Sequence, residues 1–130
     1  MKKIVKPAKD WKKALSQEEF TVLREKHTEP AFSGKLLHNK EKGIYYCRAC
    51  GNPLFKSESK FDSGSGWLSF SDIVMQESIE LNTDFSHGMT RIEALCAKCG
   101  SHLGHVFEDG PKPNGKRYCI NSLALDFKKQ

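Results

Sequence analysis

The feature that most constrains this chain is a short motif that occurs twice, far apart in the sequence. Residues 47–51 read C-R-A-C-G and residues 96–100 read C-A-K-C-G. A tight turn of this kind places two thiolates on one side of a metal ion, and the glycine lets the chain turn behind them. Two such turns supply four ligands for a tetrahedral zinc ion. The spacing therefore predicts one zinc site that joins two distant hairpins. Its ligands are Cys47, Cys50, Cys96 and Cys99.

Two other interpretations of these cysteines are a thioredoxin-like redox motif and a set of reduced structural thiols. A redox motif needs only one C-x-x-C pair, and no β-α-β pattern surrounds either pair. Four thiolates close the coordination shell and leave no open position for water. We therefore expect the metal to stabilise the fold rather than to catalyse a reaction.

Length and composition indicate a single domain over residues 1–130, with a monomer as the default expectation. The chain carries a formal net charge of +5, which permits an acidic partner but does not require one. Apolar runs long enough to span a bilayer are absent, as is an apolar signal segment, so we expect a cytoplasmic protein with no membrane partner.

Residues 1–15 are interpreted as a solvated basic arm. No stripe of aromatic residues accompanies its lysines, which disfavours nucleic-acid binding.

The sequence patterns predict a mainly β fold of antiparallel strands with a short helical N-terminal segment. Ser16 and Glu19 form a capping-box pattern ahead of a helix at roughly 17–26, with Phe20 and Leu23 on its buried side. Alternating apolar runs bounded by turn residues indicate strands. The main ones are residues 43–47, 54–55, 78–81, 90–95, 103–107 and 117–122.

The fifth cysteine, Cys119, belongs to neither motif. Side chains alternate along a strand, so Arg117, Cys119 and Asn121 share one face. Tyr118 and Ile120 point to the other face, which is predicted to be the core side. A guanidinium two residues from the thiol favours the thiolate, which is the nucleophilic form.

The preceding strand contributes a histidine. By alternation, Leu103, His105 and Phe107 share a face, and His102 lies just outside it. If this strand pairs with the next across the turn-rich connection, His105 comes close to Cys119. A cysteine beside histidine and arginine is a candidate activated nucleophile. The alternative is that Cys119 is a small buried hydrophobic residue.

Six strings of residues occur along the chain in a fixed order. They are G-I-Y-Y-C-R-A-C-G (43–51), K-F-D-S-G-S-G-W (60–67), S-H-G-M-T-R-I-E (86–93), C-G-S-H-L-G-H-V-F (99–107), D-G-P (109–111) and R-Y-C-I-N-S (117–122). Together they closely resemble the B-type peptide methionine sulfoxide reductases. The resemblance runs from about residue 16 to about residue 128, which is nearly the whole chain.

This resemblance implies a fold of two antiparallel sheets with a bound structural zinc ion. It also implies that the protein reduces the R epimer of methionine sulfoxide in oxidised proteins or peptides, which repairs oxidative damage. It implies that Cys119 is the catalytic nucleophile and becomes a sulfenic acid. The expected reductant is thioredoxin, glutaredoxin or a small thiol. The implied substrate pocket, in which the indole packs on the methyl group, consists of Trp67, His102, His105, Phe107, Arg117 and Asn121.

The sequence departs from the family pattern at two positions. Ser65 stands where many relatives carry a second, resolving cysteine, so we expect an external thiol to reduce the sulfenic acid without an internal disulfide. Leu68 stands where relatives usually have proline, so we expect a less rigid backbone at Trp67.

The alternative function is a non-catalytic zinc-ribbon module that binds nucleic acid or protein. Such a module has no need of an unligated thiol.

Overall fold

Residues 2–130, the part of the chain that this computed structural model describes, contain nine strands and two α-helices joined by loops and short 3-10 turns. The helices are α1 (Ala8–Ala14) and α2 (Gln17–Glu25). The strands are β1 (Gly43–Cys47), β2 (Pro53–Lys56), β3 (Lys60–Phe61), β4 (Leu68–Phe70), β5 (Ile79–Asp84), β6 (Arg91–Cys96), β7 (His102–Phe107), β8 (Arg117–Ile120) and β9 (Leu125–Lys129). They form one antiparallel sheet in the order β2-β1-β9 and a second in the order β3-β4-β8-β7-β6-β5. The predicted mainly β fold with two antiparallel sheets is confirmed.

Helix α2 forms where the capping box predicts it. The Ser16 hydroxyl accepts a hydrogen bond from the Glu19 backbone N–H at 3.1 Å, and the Glu19 carboxylate accepts one from the Ser16 N–H at 2.8 Å. Both bonds satisfy backbone donors that the first turn of a helix leaves free. Phe20 and Leu23 are buried, as predicted. The helix ends where Lys26 adopts a left-handed conformation, with φ of 60°.

The basic N-terminal segment is not a solvated arm along its whole length, and that part of the prediction is wrong. Its lysines are exposed, but helix α1 buries Trp11, which is only 1% exposed, and Leu15 follows it into the core. The Arg24 guanidinium lies 4.9 Å from the centre of the Trp11 ring. The prediction followed the many lysines of this segment and overlooked Trp11 and Leu15. These two apolar residues are four positions apart, which places them on one face of a helix.

Aromatic side chains from both sheets form the centre of the core. Phe55 on β2 stacks on Phe70 on β4, with ring centroids 4.3 Å apart, and Tyr45 on β1 meets Phe70 edge-on at 5.1 Å. Tyr118 on β8 packs against Phe55 at 5.9 Å. Such pairs add about 0.5–1.5 kcal/mol each beyond the area they bury. Tyr118 and Ile120 are both buried, so the predicted core side of β8 is confirmed.

Hairpins between neighbouring strands position the residues that the sequence singled out. The first C-x-x-C-G turn connects β1 to β2 in the three-stranded sheet, and the second connects β6 to β7 in the six-stranded sheet. Strands β7 and β8 pair across the turn-rich connection, with His105 directly opposite Cys119. Within residues 2–130 the structure contains no helix of sufficient length and hydropathy to cross a membrane.

Candidate active site

The four cysteines of the repeated motif meet in one cluster, although they come from different sheets. Their Sγ atoms all lie within 4.8 Å of one another. The Cys47 and Cys99 sulfurs are 3.7 Å apart, and those of Cys50 and Cys96 are 3.6 Å apart. Sulfur atoms ~2.3 Å from a tetrahedral ion lie about 3.8 Å from each other. The predicted ligands are therefore confirmed as a group with the dimensions of a four-thiolate metal site.

Three polar side chains lie beside this cluster. The Asn52 amide donates to Cys96 Sγ at 3.8 Å, and the Ser101 hydroxyl lies 3.1 Å from Cys99 Sγ. The Arg24 guanidinium donates to the Cys99 carbonyl at 2.9 Å and to the Ser101 hydroxyl at 3.2 Å. Four thiolates around a divalent ion would carry a net negative charge, and the Asn52 amide and the positive charge of Arg24 would offset part of it.

Cys119 lies outside the cluster, on strand β8, and its side chain is only partly buried. Burial raises the pKa of the Cys119 thiol, while the Arg117 guanidinium and a hydrogen bond from Ser65 act in the opposite direction. On the neighbouring strand β4, Ser69 is its cross-strand partner. The thiol is therefore accessible, and adjacent groups partly offset the effect of burial on its ionisation.

Arg117 is held rigidly beside this thiol. Its Nε and Nη2 donate to the two carboxylate oxygens of Asp109 at 2.8 and 3.2 Å, which is a bidentate pair. Its guanidinium also lies 4.4 Å from the centre of the Phe107 ring. Asp109 raises the pKa of Arg117 further, so the positive charge next to Cys119 is permanent.

Trp67 follows a loop of small residues and is fixed by a segment distant in the sequence. Its indole Nε1 donates to the Glu29 carbonyl at 2.9 Å. Leu68 is 1% exposed and pairs with Ile120 at the start of β4. Leu68 therefore anchors the backbone after Trp67 in the core, and the less rigid backbone expected from the missing proline stays a prediction.

Glu29 also anchors the residue that follows strand β8. Its backbone N–H donates to the Asn121 side-chain carbonyl at 3.0 Å, and its carboxylate accepts from the Leu123 N–H at 3.0 Å. The Asn121 amide group donates to the Leu103 carbonyl at 3.0 Å. Glu29 is 3% exposed, and burial raises the pKa of its carboxyl group. Sequence reasoning missed this contact because Glu29 lies in an irregular segment without periodicity.

The histidines are arranged differently from the prediction. A register shift in the β6–β7 pairing sets His102 opposite Leu95 and Gly104 opposite Ala94, which leaves Leu103 as an extra residue. Such a bulge changes which side chains share a face. Leu103 is fully buried in the core, while the His102 ring meets the His105 ring edge-on at 5.3 Å. The predicted grouping of Leu103 with His105 is therefore wrong, and His102 takes that place.

A small cavity of about 90 Å³ brings most of the predicted site residues together. It is lined by Thr28, Trp67, Arg91, Gly104, His105, Phe107, Cys119 and Asn121. Arg117 and His102 flank it through their contacts with Phe107 and His105. Thr28 and Arg91 were not predicted, although Arg91 lies within one of the strings that carry the family resemblance. The cavity combines the partly buried Cys119 thiol with the aromatic side chains of Trp67 and Phe107, and the Arg117 guanidinium lies beside Phe107. These groups suit a nucleophilic reaction on a small polar group that carries an apolar substituent.

Comparison with proteins of known structure supports the fold. The crystal structure of the Mis18 'Yippee-like' domain superposes with a TM-score of 0.55 over 69% of this chain and 98% of that domain, at 16% sequence identity. At this identity the likeness concerns the fold alone.

Sequence comparisons are more specific. The family model for the SelR domain matches residues 15–129. The peptide methionine sulfoxide reductase MsrB of Methanosarcina barkeri is 57% identical over 98% of this chain and 89% of its own length. The MsrB of Leptospira interrogans is 54% identical over 96% of this chain and 95% of its own length. The mitochondrial methionine-R-sulfoxide reductase B3 of Mus musculus is also 54% identical, and the matched region is 49% of that protein. The chain therefore belongs to the SelR family, the B-type peptide methionine-R-sulfoxide reductases.

Proposed function

We propose that Cys119 is the nucleophile with which this enzyme reduces the R epimer of methionine sulfoxide, mainly in oxidised proteins. The observation that carries the proposal is the position of this thiol. It lines the cavity together with Trp67 and His105, while the other four cysteines lie in the metal cluster. Trp67 offers an apolar face to the methyl group, and the polar groups around Arg117 and Asn121 suit the sulfoxide oxygen.

The reaction transfers one oxygen atom between two sulfur atoms. The Cys119 thiolate attacks the electrophilic sulfoxide sulfur, and the oxygen gains a proton as its bond to that sulfur breaks. Cys119 loses two electrons and becomes a sulfenic acid, and the substrate gains the same two electrons and leaves as methionine. Arg117 favours the ionised thiol that begins this sequence.

A thiol from outside the chain then reduces the sulfenic acid. Ser65 is the side chain that hydrogen-bonds Cys119 from the glycine-rich loop, and a hydroxyl cannot form a disulfide. The four remaining cysteines are grouped at the metal site. The reductant is therefore thioredoxin, glutaredoxin or a small thiol acting directly on Cys119. Intact-mass analysis of the oxidised, metal-loaded protein should show one added oxygen and no internal disulfide. A stoichiometric disulfide between Cys119 and a cluster cysteine would contradict this.

The metal is zinc, bound by Cys47, Cys50, Cys96 and Cys99. Four sulfur ligands at tetrahedral spacing select zinc or iron, and a single closed site without a redox role suits zinc. When bound, the ion contributes folding free energy and leaves no coordination position for substrate. Elemental analysis should find one zinc per chain.

A turnover assay tests the catalytic proposal. Racemic peptide methionine sulfoxide is incubated with dithiothreitol and either the wild-type protein or Cys119→Ser. The wild type should consume about half of the racemate and leave the S epimer, because one enzyme serves each epimer. The variant should be inactive while keeping its metal and fold. Unchanged activity in Cys119→Ser would refute the nucleophile, and no turnover by the metal-loaded wild type would favour a binding module.

A further inference from the structure

The cavity that contains Cys119 adjoins a second, larger cavity. The first has a volume of about 90 Å³, well below the roughly 300–1,000 Å³ of sites that enclose a whole small ligand. The second has a volume of about 510 Å³ and shares Thr28, Arg91 and His105 with the first. Its wall comes mostly from the end of helix α2 and from the connection between β5 and β6. The small cavity therefore has room for a side chain only, and the rest of the molecule that carries this side chain lies in the larger cavity.

Arg91 lies at the boundary of these two cavities, and its guanidinium has donors that the protein does not fully use. Its Nε is buried and has no hydrogen-bond partner within residues 2–130. Its Nη2 is 3.6 Å from Asp84 Oδ2 and 3.5 Å from the Ser86 hydroxyl, and both distances are long for a charged donor. A buried donor without a partner is destabilising. An acceptor atom that a ligand brings to this boundary would therefore bind favourably to Arg91.

Asp84 offsets the positive charge of Arg91. Its carboxylate lies 2.8 Å from His105 Nε2 and accepts a hydrogen bond from the Ser86 backbone N–H at 2.9 Å. The hydrogen bonds from His105 and Ser86 hold the pKa of Asp84 well below its usual range, so the carboxylate is ionised. An arginine beside an ionised carboxylate forms a pair without net charge, which gains little from binding a second carboxylate. A neutral, polar acceptor such as a main-chain carbonyl suits this pair better.

We propose that Arg91 is a specificity-determining residue that donates a hydrogen bond to the main-chain carbonyl of the oxidised methionine residue, so that the larger cavity holds the adjoining polypeptide. The inference rests on the proposed function for the identity of the reaction at Cys119. A short, unbranched stem separates the sulfur of methionine from its Cα atom. A sulfoxide beside Cys119 therefore places the main chain of the substrate near the boundary where Arg91 lies.

Free methionine sulfoxide fits this arrangement poorly. Its ammonium and carboxylate groups would both enter the larger cavity beside the Arg91–Asp84 pair, and each charged group would give up bound water there. A peptide unit is neutral, so its carbonyl gives up less hydration for the same hydrogen bond. The preference for a peptide-bound substrate over the free amino acid therefore depends on Arg91.

Kinetics on three sulfoxide substrates test this inference. N-Acetyl-methionine-R-sulfoxide N-methylamide has the main-chain carbonyl, free methionine-R-sulfoxide has a carboxylate in its place, and ethyl methyl sulfoxide has no main chain. In Arg91→Met, kcat/KM for the N-methylamide divided by that for ethyl methyl sulfoxide should fall about 10- to 100-fold, mostly through KM, because a charge-assisted hydrogen bond to the substrate is lost. The corresponding ratio for free methionine sulfoxide should fall much less. Arg48→Met is the matched control and should keep the wild-type ratios, since Arg48 pairs with Glu19 and lines neither cavity.

Two kinetic results would overturn the inference. An equal loss for the N-methylamide and for ethyl methyl sulfoxide would show that Arg91 acts on the sulfoxide group or on the fold. A larger loss for free methionine sulfoxide than for the N-methylamide would show that Arg91 binds a carboxylate. If the wild type reduces none of the three sulfoxides, the proposed function is wrong, and a binding experiment decides separately on Arg91.

NMR of the arginine side chains measures binding without turnover, and it decides alone should Arg91→Met fail to fold. The sample is metal-loaded Cys119→Ser protein with ¹⁵N-labelled arginine, because this variant lacks the thiol that reacts with a sulfoxide. Addition of the N-methylamide should shift the Arg91 Nε–H resonance more than ethyl methyl sulfoxide does at equal occupancy. The Arg48 resonance should stay in place with both ligands. An Arg91 resonance that responds equally to the two ligands, or to neither, would overturn the inference even if the enzyme is an active reductase.

Discussion

At the scale of single residues, the reactivity of Cys119 depends on two opposing influences. Burial raises the pKa of its thiol, and the Arg117 guanidinium lowers it. Asp109 fixes that guanidinium with two hydrogen bonds, so the favourable charge is held in one place at little further entropic cost. The ionisation of this thiol therefore depends on a neighbouring positive charge that counteracts part of the effect of burial.

Removing this charge should make the thiol less acidic. In Arg117→Gln the lowering influence is lost while burial remains, so the pKa of Cys119 rises and the pH midpoint of its alkylation by iodoacetamide moves up. Since the thiolate fraction at neutral pH falls, kcat/KM should drop by about tenfold or more. Arg48→Gln is the matched control, because Arg48 is exposed and pairs with Glu19 instead. An alkylation curve that stays in place in Arg117→Gln would contradict the argument.

Ser65 offers a second test at this scale. Its side chain reaches the Cys119 thiol, and its hydroxyl lies 2.8 Å from that of Ser63. We expect Ser65→Cys to form an internal disulfide with Cys119 after one turnover, seen as the loss of two hydrogens by intact-mass analysis. Ser63→Cys is the matched control, since that side chain points to Ser69 at 2.6 Å. Persistence of the sulfenic acid in Ser65→Cys would show that the two sulfurs cannot meet.

At the scale of elements, the sequence predicts what is periodic and misses what is irregular. The alternation in β8 correctly assigns Tyr118 and Ile120 to the core, because a regular strand sends alternate side chains to opposite faces. The same rule fails in β7, where an extra residue opposite Ala94 and Leu95 exchanges the faces of His102 and Leu103. A bulge depends on the partner strand, so one strand's sequence does not contain it. The contacts of Glu29 with Trp67 and Asn121 were missed for the same reason.

Helix α1 is the element whose contribution is easiest to measure. Trp11 is 1% exposed and lies under the Arg24 guanidinium, which itself holds the Cys99 carbonyl at 2.9 Å. We expect Trp11→Ala to lower the free energy of unfolding by about 3–5 kcal/mol, the usual cost of deleting a buried tryptophan. Denaturant titration measures it, with the exposed Lys9→Ala as the control. A change below about 0.5 kcal/mol would mean that α1 does not contribute to the stable core.

At the scale of the whole molecule, two separate connections hold the sheets together. The aromatic core joins them through the stacked rings of Phe55 and Phe70. The metal cluster joins them a second time, because each sheet contributes one hairpin with two of the four sulfurs. The long insertion between Cys50 and Cys96 contains strands β2 to β6, so a metal ion bound by the four cysteines would close a large loop. Closing such a loop removes more conformational freedom from the unfolded chain than a short zinc knuckle would.

Loss of one metal ligand should therefore destabilise the whole fold, while loss of the nucleophile should not. Cys96 is fully buried in the cluster, and Cys96→Ser replaces a strong zinc ligand by a poor one. We expect the metal content to fall well below one per chain and Tm to drop by roughly 10 °C or more. Cys119→Ser makes the same chemical change outside the cluster, and it should keep its metal and lose no more than about 2 °C. Equal Tm values for the two variants would show that the four-cysteine cluster does not connect the sheets energetically, whatever its geometry.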